Sequence, residues 1–97
     1  MAEDAAKVAP HVYKVVFENE RARVLDVTME PGARTEMHSH PDYIVYLLDA
    51  GKVRFTTPSG ETQEVEMPED MVMWRPAEEH QTENLGGRLR ALFFEPK

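Results

Sequence analysis

Residues 23–29, with the sequence RVLDVTM, alternate apolar and polar side chains along the chain. Leu25, Val27 and Met29 share one face, and the residues between them are polar on the other face. Successive side chains of a β-strand point to opposite sides, so alternation with a period of two predicts a strand with one buried face. Pro31 and Gly32 end this strand in a turn.

Further runs of the same character surround this strand and are separated by Gly, Pro, Asn and Asp residues. Such spacing is typical of an all-β fold, and we expect residues 1–97 to form one small antiparallel β-barrel or jelly roll. Residues 1–10 are expected to be a flexible N-terminal arm, with helical periodicity at most over residues 2–8. The other predicted strands are residues 11–18, 43–48, 52–57, 61–67, 71–75 and 89–95.

Composition excludes several classes of function. The chain has no cysteine, so disulfides, thiolate zinc sites and cysteine nucleophiles are excluded. Its net charge of −7, with scattered basic residues, argues against nucleic-acid and anionic-membrane partners. No apolar run approaches the roughly 20 residues that span a bilayer, and the N-terminal segment lacks an apolar signal core. We therefore expect a cytoplasmic protein.

Three of the four histidines suggest a metal site. His38 and His40 are separated by one residue, so on a strand their imidazoles point in the same direction. His80, about forty residues later, would provide a third ligand to the same ion if it lies on another strand of the barrel wall. Three protein ligands with vacant positions are typical of a catalytic metal site. His11 is not expected to be a ligand.

The sequence around these histidines resembles the cupin superfamily over about residues 24–94. The first cupin motif is matched by Gly32, five residues, His38-Ser39-His40 and the later Gly51. The second is matched by the turn at Pro76, by His80 and by Asn84, although the usual glycine of that turn is absent. The resemblance implies a cupin barrel that holds one divalent metal ion through His38, His40 and His80.

The chain departs from the cupin pattern at the fourth metal ligand. Where the family has a glutamate, four residues beyond His40, this chain has Val45, so we expect a three-histidine variant site. Glu36 is the best substitute carboxylate, whereas Glu78 and Glu79 are interpreted as part of a charged turn. The metal is not specified by the sequence: iron, zinc, nickel, manganese, cobalt and copper all bind imidazole.

Three functions are compatible with such a site. Within cupins, three-histidine iron centres occur in thiol and diketone-cleaving dioxygenases, so the first is oxygenation of a small organic acid, thiol or diketone. The second is an isomerase, lyase or hydrolase with a Lewis-acid metal. The third is a non-catalytic module that binds a small ligand or the metal.

Several residues are candidates for lining the pocket around the metal. The first set is Glu36, Tyr43, Val45 and Trp74. The further candidates are Arg34, Arg75, Tyr46, Met37, Met71 and Met73.

The family resemblance and the apolar stretches of the chain also predict its binding partners. The opening segment also resembles a group of small cupins linked to β-alanine degradation, which carries little information about substrate. A small-molecule ligand is expected. The apolar stretch over residues 12–17 could pair at a sheet edge with a neighbouring subunit, and cupins are commonly homodimers, so a homodimer is predicted.

Overall fold

The computed structural model describes residues 2–97, and Met1, the first residue of the predicted arm, lies outside the described residues. No helix within this range has the length and apolar character needed to cross a bilayer. The elements in chain order are α1 (Ala5–Val8), β1 (Tyr13–Glu18), β2 (Ala22–Met29), β3 (His38–His40), β4 (Tyr43–Asp49), β5 (Gly51–Thr56), β6 (Thr62–Met67), β7 (Val72–Arg75), β8 (Glu78–Asn84) and β9 (Leu89–Pro96).

The strands form two antiparallel sheets. One sheet has five strands in the order β1-β2-β9-β4-β7, and the other has four in the order β3-β8-β5-β6. The predicted all-β antiparallel fold is confirmed, and the arrangement is a two-sheet jelly roll rather than a ring of continuous pairing. The predicted strands agree with the observed ones to within two residues at either end.

The core lies between the two sheets. Strand β2 buries Leu25, Val27 and Met29, which are at most 2% exposed, as the alternation predicted. Strand β4 is flanked by β9 and β7, and it buries Tyr43 and Leu47 from its inner face. The side chains on the outer face of β4 are half-buried.

Strand β8 was not among the strands delimited from the sequence. Its residues, EEHQTEN, include no apolar side chain, and its inward positions are His80, Thr82 and Asn84. The interpretation of Glu78 and Glu79 as part of a charged turn was therefore wrong, since both lie on this strand. They pair with His40 and Ser39 of β3.

Part of the N-terminal segment, for which a flexible arm over residues 1–10 is predicted, packs against the strands. Asp4 caps the short helix α1 by accepting a hydrogen bond from the Ala6 amide, and Ala5 is fully buried. The Ser39 amide donates to the carbonyl oxygen of Glu3, so this segment covers the free edge of β3. Backbone pairing of Glu3 and Asp4 with Ser39, together with the burial of Ala5, places this segment against the strand that carries two histidines.

Two motif residues shape the turns beside the site. Asn84 is buried, and its side-chain amide donates to the carbonyl oxygens of Met29, Glu30 and Gly87. It therefore ties the end of β2 to the turn before β9. Gly51 lies so close to Leu89 that an added Cβ would be 2.3 Å from the Leu89 Cδ1, so a larger residue here would force the Leu89 side chain to shift.

Candidate metal centre

The three predicted histidines meet in the interior of the jelly roll. His38 and His40 lie on β3, and His38 is directly opposite His80 of β8. All three side chains are buried, with exposures of 0–3%. The ring centroids lie 4.8–5.0 Å apart, and the three potential ligand nitrogens lie within 4.8 Å of one another.

The Nε2 atoms of all three histidines are buried without a hydrogen-bond partner among residues 2–97. Of the three Nδ1 atoms, only that of His38 makes a hydrogen bond, whereas those of His40 and His80 face a carboxylate oxygen without making one. Hydrogen bonding of one ring nitrogen is how proteins orient metal-binding histidines. The three pairs are His38 Nδ1 with the Glu36 carbonyl oxygen at 2.8 Å, His80 Nδ1 with Glu78 Oε1 at 3.4 Å, and His40 Nδ1 with Glu95 Oε2 at 3.9 Å.

The protonation of the rings also suits a metal. Burial, and then the adjacent imidazoles, lower the pKa of His38 to about 3. Burial likewise lowers the pKa of His80, although Glu78 opposes the shift. Both rings are therefore neutral at pH 7, and a neutral imidazole can offer its lone pair to an ion. Two nitrogens bound to one ion at about 2.1 Å lie no more than about 4.2 Å apart, so small ring rotations would bring the three into ligating distance.

Glu78 is held in a hydrogen-bonded cluster beside His80. Arg75 donates to both carboxylate oxygens, from Nε at 2.7 Å and from Nη2 at 2.8 Å, and the Tyr43 hydroxyl donates to Oε2. Burial alone would raise the pKa of Glu78, but the hydrogen bonds from Arg75 and Tyr43, together with the nearby His80 ring, outweigh it and hold the pKa below its usual range. The carboxylate is thus ionised and fixed next to the candidate ligand.

Glu95 provides a second carboxylate, behind His40. It is 2% exposed on β9, and its Oε1 accepts a hydrogen bond from Arg23 Nε at 2.6 Å. Arg23 also donates to both carboxylate oxygens of Asp4, at 2.7 and 3.1 Å. A continuous chain of charged contacts therefore runs from the N-terminal segment, through β2 and β9, to His40.

The interior next to the histidines is nearly filled by aromatic rings. Tyr13 contacts the rings of His38 and His40, and Phe55 stacks on His80 with centroids 4.6 Å apart. The remaining internal cavity measures about 30 Å³, which is room for one or two water-sized molecules. This cavity is too small for an organic ligand, so such a ligand would have to reach the histidines from the protein surface.

An open depression of about 420 Å³ gives that approach. Its lining includes His80, Glu78 and Glu79, and the Arg75 guanidinium lies 4.7 Å above the Phe55 ring at its wall. Arg75, Glu78 and His80 therefore all line the same depression. A ligand in it would be close to both the Arg75–Glu78 ion pair and His80.

Solved structures share this architecture. A cupin domain protein from Bordetella pertussis Tohama I superposes with a TM-score of 0.81 and 27% sequence identity, over 89% of this chain and 92% of that chain. The chain has a cupin fold. No protein-family model matches the sequence, and no curated protein is similar to it in sequence.

More distant structures show the same fold. A cupin superfamily protein from Desulfitobacterium hafniense DCB-2 has a TM-score of 0.65 at 16% identity, over 88% of this chain and 75% of that chain. A cupin family protein with a double-stranded β-helix fold from Methanocaldococcus jannaschii has a TM-score of 0.67 at 12% identity, over 88% and 78% of the two chains. The fold thus extends across very different sequences.

The four residues predicted to line the pocket divide into two pairs. Tyr43 and Val45 point inward from β4: Tyr43 packs against His40 with centroids 4.8 Å apart, and both line the internal cavity. Glu36 precedes β3, and its side chain is exposed, so only its carbonyl oxygen serves the site. Trp74 is 55% exposed on the outer face of its sheet. The structure therefore places the side chains of Glu36 and Trp74 outside the internal cavity.

The further candidate pocket residues also lie partly inside and partly outside the site. Arg75 stands at the mouth of the site and Met73 lines the internal cavity, whereas Tyr46 points outward and donates to Asp70. Arg34 is exposed, and its carbonyl oxygen contacts the ring of His11.

The sequence reasoning missed the importance of two carboxylates in the cupin interior. Glu95 had a signal, because Leu89, Ala91 and Phe93 alternate inward on β9 and the same period places Glu95 inside. Glu78 had none, since the polar sequence of β8 does not reveal a strand.

Proposed function

We propose that this cupin binds one divalent metal ion through the Nε2 atoms of His38, His40 and His80. The observation that carries the proposal is that these three atoms are buried together without hydrogen-bond partners among residues 2–97. Unpaired buried polar atoms cost free energy, and a metal ion would supply the missing partner. Imidazole ligands suit iron, zinc, nickel, manganese, cobalt and copper, from which the ion is drawn.

A bound ion would supply Lewis acidity at full double positive charge, because all three ligands are neutral. The residues around the histidines would orient the imidazole rings. The Glu36 carbonyl oxygen, Glu78 and Glu95 face the Nδ1 atoms and so favour the tautomers that direct Nε2 toward the ion. The buried aromatic wall limits access of water from the barrel interior.

The reaction that we propose to test first is oxygenation of a small organic acid, thiol or diketone. The support is the absence of a carboxylate ligand at Val45, a feature also found in the three-histidine dioxygenases of the cupin superfamily, which the chain resembles. Lewis-acid isomerisation, elimination or hydrolysis is the alternative with the same ligands, and a non-catalytic ligand- or metal-binding module is the third. The likeness to β-alanine-linked cupins adds no substrate to this proposal.

The proposed ligand is a small anionic molecule rather than a macromolecule. It would enter through the depression beside His80, where Arg75 is the nearest cationic side chain of the lining. Arg75 is already paired with Glu78, so a carboxylate on the ligand would share or displace this ion pair. The net charge of −7 gives nucleic acid no basic surface to bind.

Elemental analysis of tag-free protein tests the metal proposal. We expect about one equivalent of metal per chain, retained in His11→Ala and lost in His38→Ala, His40→Ala and His80→Ala. His11 is a matched control because its ring is exposed and lies outside the cluster. Absence of metal after reconstitution, or retention in any of the three variants, would contradict the proposed ligand set.

Oxygen consumption tests the reaction separately. Iron-loaded protein is assayed with small thiols, β-diketones and enolisable acids, and His38→Ala serves as the inactive control. Consumption that depends on both iron and one substrate class would support an oxygenase. A protein that binds metal but consumes no oxygen with any class would contradict the oxygenase and leave metal binding intact.

A further inference from the structure

The N-terminal segment, residues 2–9, is joined to a histidine strand by backbone pairing. The Ser39 amide donates to the Glu3 carbonyl oxygen at 2.8 Å, and Asp4 forms a parallel bridge with Ser39. Ser39 is the residue between the two histidines of β3, which is a three-residue strand at the edge of its sheet. Two of the three candidate ligands therefore lie on a short edge strand whose outer side pairs with this segment.

A chain of side chains makes a second connection, from Asp4 to His40. The Arg23 guanidinium lies between two carboxylates: its Nε donates to Glu95 at 2.6 Å, and its two Nη atoms donate to Asp4 at 3.1 and 2.7 Å. The other carboxylate oxygen of Glu95 faces His40 Nδ1 at 3.9 Å and has no hydrogen-bond partner among residues 2–97. Because the guanidinium is planar and its donors have a fixed geometry, the position of Asp4 affects that of Glu95.

An aromatic ring makes a third connection at the end of the segment. The Tyr13 amide donates to the Ala9 carbonyl oxygen at 2.9 Å. The Tyr13 ring centroid lies 5.0 Å from that of His38 and 5.2 Å from that of His40. A displacement of the segment would therefore reach these two histidines by three separate routes.

The N-terminal segment buries only small side chains completely. Its helix α1 has four residues, and the fully buried members of the segment are Ala5 and Ala9. An alanine side chain removes little apolar area from water, and elements with little buried apolar area open more readily than the core. The docking of this segment is therefore sensitive to the polar contacts of Asp4 and Ser39.

We propose that Arg23 is a positioning residue of the metal centre and that it couples docking of the N-terminal segment to metal binding. This inference rests on the proposed function, a metal ion held by the three histidines. When a cation is bound at Nε2 of His40, the Nδ1–H of the same ring is a stronger donor toward Glu95. Glu95 then holds Arg23, and Arg23 holds Asp4. Such coupling is reciprocal, so the docked segment raises metal affinity by the factor by which the metal favours docking.

The balance of charge supports this coupling. Asp4 and Glu95 share the single positive charge of Arg23, so the three side chains together carry an excess negative charge. The end of this group that approaches His40 is the buried one, because the Glu95 side chain is 3% exposed. Positive charge on the other side of the His40 ring would compensate the excess. Undocking of the segment would loosen this arrangement and make release of the ion easier.

Metal affinity of the full-length protein tests the positioning role, with Zn²⁺ as the probe and a chelator as the competitor. We expect Asp4→Asn to weaken Zn²⁺ binding about fivefold or more, because asparagine keeps the helix cap but loses the charge that holds Arg23. Arg23→Gln should weaken it about tenfold or more. Glu3→Gln is the matched control, since it removes a negative charge from the same segment while its side chain pairs with the exposed Lys7.

A double substitution separates positioning from general loss of stability. If Asp4 acts on the site through Arg23 and Glu95, then Asp4→Asn should weaken Zn²⁺ binding no further in a protein that already carries Glu95→Gln. Full additivity of the two effects would contradict this route. Asp4→Asn is the decisive variant because the Asp4 side chain is 38% exposed, so its replacement leaves the core unchanged.

Hydrogen–deuterium exchange tests the coupling in the opposite direction. The amides of residues 7–9 donate to the carbonyl oxygens of Asp4 and Ala5. Zn²⁺ should slow their exchange about fivefold or more in the wild type and in Glu3→Gln, and this effect should be lost in Asp4→Asn.

The possible failures are distinguishable. If Zn²⁺ binds but neither Asp4→Asn nor Arg23→Gln changes its affinity, or if Zn²⁺ leaves the exchange of residues 7–9 unchanged, the coupling is overturned and the three-histidine site stands. A wild type that binds no Zn²⁺ would overturn the proposed function, and this inference with it.

Discussion

Glu95 Oε2 lies 3.9 Å from His40 Nδ1, and neither atom has a hydrogen-bond partner among residues 2–97. Both side chains are almost completely buried. A small rotation of either side chain would convert this approach into a hydrogen bond, which would fix the tautomer of His40. The carboxylate would therefore affect a bound metal ion through His40 rather than as a ligand.

Replacing Glu95 with glutamine should weaken metal binding by about tenfold or more, because the ring loses its anionic partner while the shape is kept. Competition with a metal chelator measures the affinity. Glu64→Gln is the matched control, since Glu64 pairs with Arg54 on the surface. Equal affinities in the two variants would show that Glu95 has only a structural role.

Replacing Glu78 with glutamine should also reduce metal affinity by about tenfold, since it removes the negative charge beside His80. The absorption spectrum of the cobalt-loaded protein reports whether the ligand geometry changes together with the affinity. The neighbouring substitution Glu79→Gln controls for charge alone, because Glu79 faces away and accepts from the Ala2 amide. An unchanged cobalt spectrum and affinity in Glu78→Gln would contradict the positioning role.

Replacing Val45 with glutamate should tighten metal binding and lower the stability of the metal-free protein. The new carboxylate would occupy the cupin ligand position on β4, but without metal it would be buried in an apolar cavity at a cost on the order of 3 kcal/mol. Denaturant unfolding with and without metal separates the two effects. If metal restores none of the lost stability, the position 45 side chain does not reach the ion.

The metal-free protein should lose stability as the pH falls from 6.5 to 5. The folded-state pKa of His38 is about 3, below the unfolded value of 6.5, so the unfolded chain takes up the proton first. Each such histidine lowers the free energy of unfolding by up to about 1.4 kcal/mol per pH unit once the pH is below 6.5. Urea unfolding with a chelator measures this, and the slope should decrease in His38→Gln. A flat profile above pH 5 would be inconsistent with neutral buried histidines.

The strands with an apolar inner face could be predicted from the sequence, whereas the strand that serves the site could not. Strand β2 shows its period because its inward residues are apolar. Strand β8 turns His80, Thr82 and Asn84 inward, so the usual hydrophobic signal is missing where function requires polar side chains. His80 was identified only by its motif.

Other differences arise from contacts distant in sequence. The packing of the N-terminal segment includes the ion pair between Asp4 and Arg23, and no local pattern predicts such a pair. In β7, apolar residues occupy both faces, so the sequence could not decide whether Met73 or Trp74 points inward. The structure turns Met73 toward the cavity and Trp74 toward the outer face.

The contact between the start of the chain and the histidine strands has a practical consequence. The Ala2 amide donates to Glu79, which is adjacent in sequence to His80, and the Glu3 carbonyl oxygen accepts from Ser39 between the other two histidines. A polyhistidine tag fused ahead of Ala2 would bring additional imidazoles beside the candidate ligands and compete for the same ion. Purification tags belong after Lys97, where the chain ends beside Glu18, so that measured metal stoichiometry reports on the protein itself.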